Sequence, residues 1–105
     1  MLHKIFVGIG SNIDREKNIK SCIEILKDLY DNILISPVYE TEAMGFNGPN
    51  FYNLVLSFET EENVYDLKNG LNQIENNHGR HFNETKFSSR TLDIDILYYD
   101  DLILS

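Results

Sequence analysis

Two amphipathic helical stripes, each set between short β-forming runs, restrict this chain more than any other feature. From Asp14 onward, Ile19, Cys22, Ile23, Leu26 and Leu29 recur at helical spacing. Val64, Leu67, Leu71, Ile74 and His78 form a second stripe of the same kind. Asn12 or Asp14 is suited to accept the orphan amide hydrogens at the first helix start, and Asn63 at the second. Gly79 can close the second helix in the left-handed conformation. Lys4 to Ile9 reads as a strand closed by a turn at Gly8-Ile9-Gly10-Ser11-Asn12. Ile33 to Tyr39 is a second strand, with Pro37 placing it at an edge or bending it. After a Gly- and Asn-rich loop over 42–50 come a third strand (51–59), a polar loop (81–89), a fourth strand (92–98) and a short fifth at 102–104. The main order, strand-helix-strand-strand-helix-strand, predicts an α+β domain of ferredoxin-like β-α-β-β-α-β type, mainly antiparallel with both helices on one face. At 105 residues it suits one domain over 1–105. That fold hosts unrelated functions and settles none of them.

Composition narrows the function classes. A hydrophobic fraction of 42% and a charged fraction of 25% are ordinary for a globular domain. No apolar run approaches the ~18–20 residues of a membrane span. The opening Met1-Leu2-His3-Lys4-Ile5-Phe6-Val7 is too short and too soon interrupted for a signal peptide. One cysteine, Cys22, excludes an internal disulfide, and the apolar stripe places it in the core of a reduced, cytoplasmic protein. A net charge of −8 argues against a general nucleic-acid binder. Yet His78, Arg80, His81, Lys86 and Arg90 face only Glu84 in one segment. That local basic stretch suits either a small polyanion or a solvated loop.

The chemistry concentrates in Arg90-Thr91-Leu92-Asp93-Ile94-Asp95-Ile96. On a strand, residues i and i+2 share a face ~6.5–7 Å apart. Asp93 and Asp95 therefore project together, with Leu92, Ile94 and Ile96 toward the core. Paired carboxylates repel and welcome a cation; Mg²⁺ takes one or two of them and completes its shell with waters and phosphates. For an isolated D-x-D, a solvated strand face is the commoner outcome. Arg90, with its planar fork, tilts the balance toward phosphate. Gly8-x-Gly10 lacks the third glycine of a dinucleotide fingerprint, position 13 being Ile, so a Rossmann reading is rejected. Glu75, taken alone, reads as a surface carboxylate, and His78 and His81 lack zinc-site spacing and read as loop residues.

The set Gly10-Ser11-Asn12, Tyr39-Glu40-Thr41, Phe51-Tyr52-Asn53, Ile74-Glu75 with Gly79-Arg80, and Arg90 to Ile96 resembles the 6-hydroxymethyl-7,8-dihydropterin pyrophosphokinase family of folate biosynthesis. The resemblance runs the whole chain, in order, and its R-T-L-D-[IL]-D-[IL] block is the specific part. It implies transfer of pyrophosphate from ATP to the pterin hydroxymethyl group with release of AMP, the alternative being a non-catalytic pterin- or nucleotide-binding remnant. It implies two Mg²⁺ ions at Asp93 and Asp95, with Arg80 and Arg90 completing the catalytic set. Glu75, Lys86 and Ile96, with the same two arginines, match nucleotide contacts. Thr41, Ala43, Met44, Phe51 and Asn53 match the pterin pocket, and 81–89 a mobile loop that closes over it. Phe51 stands where many members have Tyr, Phe82 where they have a second loop arginine, Phe87 for a tryptophan, and Ser88-Ser89 for Gly-Pro. Family members normally continue for several tens of residues past Ser105. The chain thus resembles a short form lacking the C-terminal segment, which a partner subunit or a second copy would supply.

Overall fold

A computed structural model describes residues 1–43, 45, 48–79 and 91–103. The expectations for Met44, Arg80, Lys86 and Arg90, and for the loop over 81–89, lie outside these residues. The elements are β1 (His3–Ser11), α1 (Arg15–Leu29), β2 (Asp31–Ile35), β3 (Tyr39–Thr41), β4 (Phe51–Thr60), α2 (Val64–Asn77), β5 (Asp93–Tyr99) and β6 (Leu102–Ile103). The strand order is β2-β4-β1-β5-β6, with β3 also on β4, and every described pairing is antiparallel. This is the ferredoxin-like α+β arrangement that the alternation of stripes predicts.

Alternation along the strands decides what lies beneath the helices. Ile5, Val7 and Ile9 of β1, Leu54, Leu56 and Phe58 of β4, Leu92 just before β5 and Ile94 within it are all buried. They share one cluster with Ile19, Cys22 and Leu26 of α1 and Leu67, Leu71 and Ile74 of α2. Both helices therefore cover one face, and Gly8, Gly10, Asn53, Asp93 and Asp95 fall on the other. At ~1.5–3 kcal/mol for each fully buried aliphatic or aromatic side chain, this cluster is the main source of stability. Tyr30 extends it by stacking on Phe58, ring centroids 4.1 Å apart, while its hydroxyl donates to Glu62 at 2.7 Å.

Several local expectations are corrected. β1 does not turn at Gly8 but continues to Ser11, because Gly8 through Ser11 are paired along their length with β4. The expected second strand is split: β2 ends at Ile35, Ser36-Pro37-Val38 intervene, and β3 resumes at Tyr39. Proline cannot extend a ladder, and here it marks the break. β5 carries a bulge: Phe6 faces Tyr98 but Val7 faces Ile96, so Leu97 is extra. The inserted residue shifts the alternation by one, so Tyr99 is buried at the far end although Ile94 is buried at the near end. Of the two helix starts, Asn63 caps as expected, its Oδ1 accepting the Asp66 N–H at 2.8 Å. Asp14 adopts φ 44° and its side chain makes no cap bond. Gly79 closes the second helix region with φ 88°.

Candidate active site

The open sheet face places the chemistry-bearing residues in two rows. Gly10 of β1 lies between Asn53 of β4 and Asp93 of β5, and Gly8 lies between Val55 and Asp95. Asn53 and Asp93 are thus two strand spacings apart, ~10 Å, across a floor that carries no side chain. A Cβ on Gly10 would stand 3.0 Å from Oδ1 of Asn53, whereas one on Gly8 would meet only Leu97 at 3.6 Å. Gly10 therefore owes its identity to the Asn53 carboxamide rather than to any turn.

At the Asn53 end, Nδ2 donates to Oγ1 of Thr41 at 2.7 Å. That bond holds the carboxamide oriented, with its oxygen on the Gly10 side. Phe51, two residues before Asn53 on the same face, is half-buried and pairs with Thr41. Ala43 is half-buried beside this strand. The sequence thus brings together four of the five residues expected of one pocket. Pro49 and Asn50 are pinned from the junction of β1 and α1: Asn12 Nδ2 donates to the Pro49 carbonyl at 3.0 Å, and Arg15 to the Asn50 carbonyl at 2.9 Å. The Arg15 guanidinium also lies over the Tyr52 ring, 3.8 Å from its centroid.

At the other end, Asp93 is half-buried and Asp95 exposed, both on the open face. Ile96 is half-buried against the core cluster. Among the described residues no third His, Cys, Asp or Glu gathers with the pair into a metal-binding group. Two carboxylates on one strand face, with no third protein carboxylate gathered to them among the described residues, fit Mg²⁺ sharing its shell with phosphates rather than a closed protein cage. Gly79 and Thr91 lie together, a Cβ on Gly79 meeting Thr91 at 3.8 Å.

Three residues make bonds that their local sequence does not announce. Ser11 is fully buried, and its hydroxyl donates to the Thr91 carbonyl at 2.6 Å, joining the end of β1 to the approach to β5. Asn12 serves the loop at Pro49, where a helix cap was expected. Glu75 is no surface carboxylate: it is 6% exposed, and its Oε2 accepts the Ile94 N–H at 2.8 Å. The Gly-Ser-Asn spacing was the available signal, since three small or polar residues ending a buried strand rarely serve packing alone. His78, too, belongs to the α2 end rather than to a loop. Its ring bonds the Ile74 carbonyl at 2.6 Å and the Ser21 hydroxyl at 2.9 Å.

Fold and site together define a ferredoxin-like domain that sets a carboxylate pair and an anchored carboxamide at opposite ends of a glycine-floored sheet face. The chain belongs to the 7,8-dihydro-6-hydroxymethylpterin-pyrophosphokinase (HPPK) family, whose family profile matches residues 6–105. It is similar to the 2-amino-4-hydroxy-6-hydroxymethyldihydropteridine pyrophosphokinase of Aquifex aeolicus (strain VF5), 37% identical over 102 residues, covering 95% of this chain and 63% of that protein. The enzyme of the same name from Bacillus subtilis (strain 168) is 31% identical, covering 90% of this chain and 59% of its own length. That from Pseudomonas putida is 30% identical over 107 residues, covering 99% and 88%. The chain thus spans about three fifths of the Aquifex and Bacillus relatives.

Proposed function

We propose that this chain transfers the pyrophosphoryl group of ATP to the hydroxymethyl oxygen of 6-hydroxymethyl-7,8-dihydropterin, releasing AMP, in the cytoplasm. The observation that carries the reading is the row Asn53-Gly10-Asp93, which separates a hydrogen-bonding end from a carboxylate end by about the length of a small bicyclic ring. Asn53 offers one carbonyl and one NH₂ group, the complement of a pterin edge, and Thr41 fixes its orientation. Phe51 supplies an apolar wall for the ring, and Ala43 and Met44 are assigned to the same pocket.

Asp93 and Asp95 would hold two Mg²⁺ ions. When bound, such ions neutralise phosphate charge and align the attacking hydroxyl with the β-phosphorus. The chain's own part is positional. Gly8 and Gly10 keep the floor clear between hydroxyl and phosphates, so the substrates meet in one orientation. Arg80, Lys86 and Arg90 are assigned to the phosphate oxygens through their positive charge, and Ile96, with Glu75, to the nucleotide. The hydroxymethyl proton passes to water as the new O–P bond forms, while the bond between the β-phosphorus and the AMP oxygen breaks and AMP departs with that oxygen.

Separate binding of the two substrates tests this division. Titration calorimetry with the pterin, and with Mg²⁺ and α,β-methylene-ATP, should show binding of both by the wild-type chain. Asn53→Ala should weaken the pterin alone, and Asp95→Ala the metal–nucleotide alone, each by about tenfold or more. Two variants that bind both ligands like wild type would contradict the assignment.

A further inference from the structure

Two buried polar groups approach the Asp93–Asp95 ribbon from within the molecule. Ser11 Oγ grips the Thr91 carbonyl at 2.6 Å, and Glu75 Oε2 grips the Ile94 N–H at 2.8 Å. The two bonds bracket Asp93 in the chain, and the second falls between the two aspartates. β6 pairs only with Tyr98 and Tyr99, so on the side away from β1 the Asp93–Ile96 stretch has no neighbouring strand among the described residues. An edge amide of this kind is ordinarily satisfied by water at no cost. Here it is satisfied by a carboxylate carried in from α2 and buried to 6% exposure. Burying a carboxylate is expensive unless its bonds are good, so its bond to the Ile94 amide ties the strand backbone firmly to α2.

We infer that Glu75 and Ser11 are positioning residues: they fix the backbone from which Asp93 and Asp95 project, so that a divalent cation meets a preorganised carboxylate pair. This role is distinct from the direct nucleotide contact expected of Glu75, and it rests on the phosphate-transfer reading above. Partners that orient a metal ligand without touching the metal change affinity by about 10–100-fold when removed.

The test reads Mn²⁺ affinity by electron paramagnetic resonance in the presence of α,β-methylene-ATP, on the full chain, without turnover. Glu75→Leu removes the acceptor and should weaken Mn²⁺ about tenfold; Glu75→Gln keeps an acceptor oxygen and should stay within about threefold of wild type. Ser11→Ala, which loses only a hydroxyl, should weaken Mn²⁺ by about tenfold and serves if Glu75→Leu does not fold. Leu71→Ala, a core change on the same helix, should lower stability and leave the affinity of the folded protein unchanged. The Ile94 amide should exchange hydrogen faster in Glu75→Leu than in Leu71→Ala. If Asp95→Ala weakens Mn²⁺ while Ser11→Ala and the folded Glu75 variants do not, the positioning role is overturned and the metal reading stands. If Asp95→Ala itself changes nothing, both are overturned.

Discussion

Gly10 and Asn53 face each other across β1 and β4 so closely that a single added methyl on Gly10 would stand 3.0 Å from the Asn53 carboxamide oxygen. That oxygen cannot move freely, because the same carboxamide donates to Thr41 at 2.7 Å. Gly10→Ala should therefore displace the carboxamide to which we assign pterin recognition and cut pterin affinity by about tenfold, the equivalent of roughly one well-placed hydrogen bond. Gly8→Ala meets only the Leu97 side chain at ordinary contact distance and should leave pterin affinity within about twofold. Fluorescence titration of the pterin against both variants checks the contrast; equal losses would detach Asn53 from the role given to it.

The two helix starts should respond differently to loss of their first polar residue. Asn63 caps α2 through its side chain, so Asn63→Ala should cost about 1 kcal/mol in urea unfolding. Asp14 makes no such bond and sits at φ 44°, a conformation glycine accepts without strain. Asp14→Gly should be neutral or stabilising by up to about 1 kcal/mol.

Alkaline pH should destabilise the fold through Cys22 and Tyr30. Burial, reinforced by the nearby Glu75 carboxylate, pushes the Cys22 thiol from 9.0 up to about 12. Burial and the hydrogen bond to Glu62 push the Tyr30 hydroxyl upward as well. Each group holds its proton more tightly folded than unfolded, so the unfolded chain releases protons first as pH rises. The contribution is whole below about pH 9 and falls progressively toward pH 12. Thermal unfolding from pH 8 to 11 should show a falling midpoint, shallower in Cys22→Ala once its lower starting stability is subtracted. By the same burial, Cys22 should react with a thiol reagent only at the rate of unfolding.

Much of this architecture was legible because burial writes itself into periodicity. The stripe from Ile19 to Leu26 and the stripe from Leu67 to Ile74 are helical because they face one sheet, and the sheet's own alternation follows from the same interface. Asp93 and Asp95 could be placed on one face by the period of two alone. What resisted were residues whose reasons lie across the fold. The glycine at position 10 looked like a turn, because its partner Asn53 is 43 positions away, 53 minus 10. Glu75 looked like surface, because nothing local says that its carboxylate meets the Ile94 amide. Asn12 resembled a cap for the helix beside it, yet its amide reaches Pro49. Short-range patterns report what a residue avoids or seeks in water; they do not report which distant backbone group it finds.

We propose that this chain moves a pyrophosphoryl group from ATP to a pterin alcohol at Asp93 and Asp95. The most direct test is to mix the chain with ATP, Mg²⁺ and 6-hydroxymethyl-7,8-dihydropterin and to follow nucleotide products by chromatography. The account predicts AMP, not ADP, formed in step with the pterin diphosphate, with a rate at least about a hundredfold lower in Asp95→Ala. AMP no higher than in the enzyme-free blank, with Asp95→Ala indistinguishable from wild type, would contradict it.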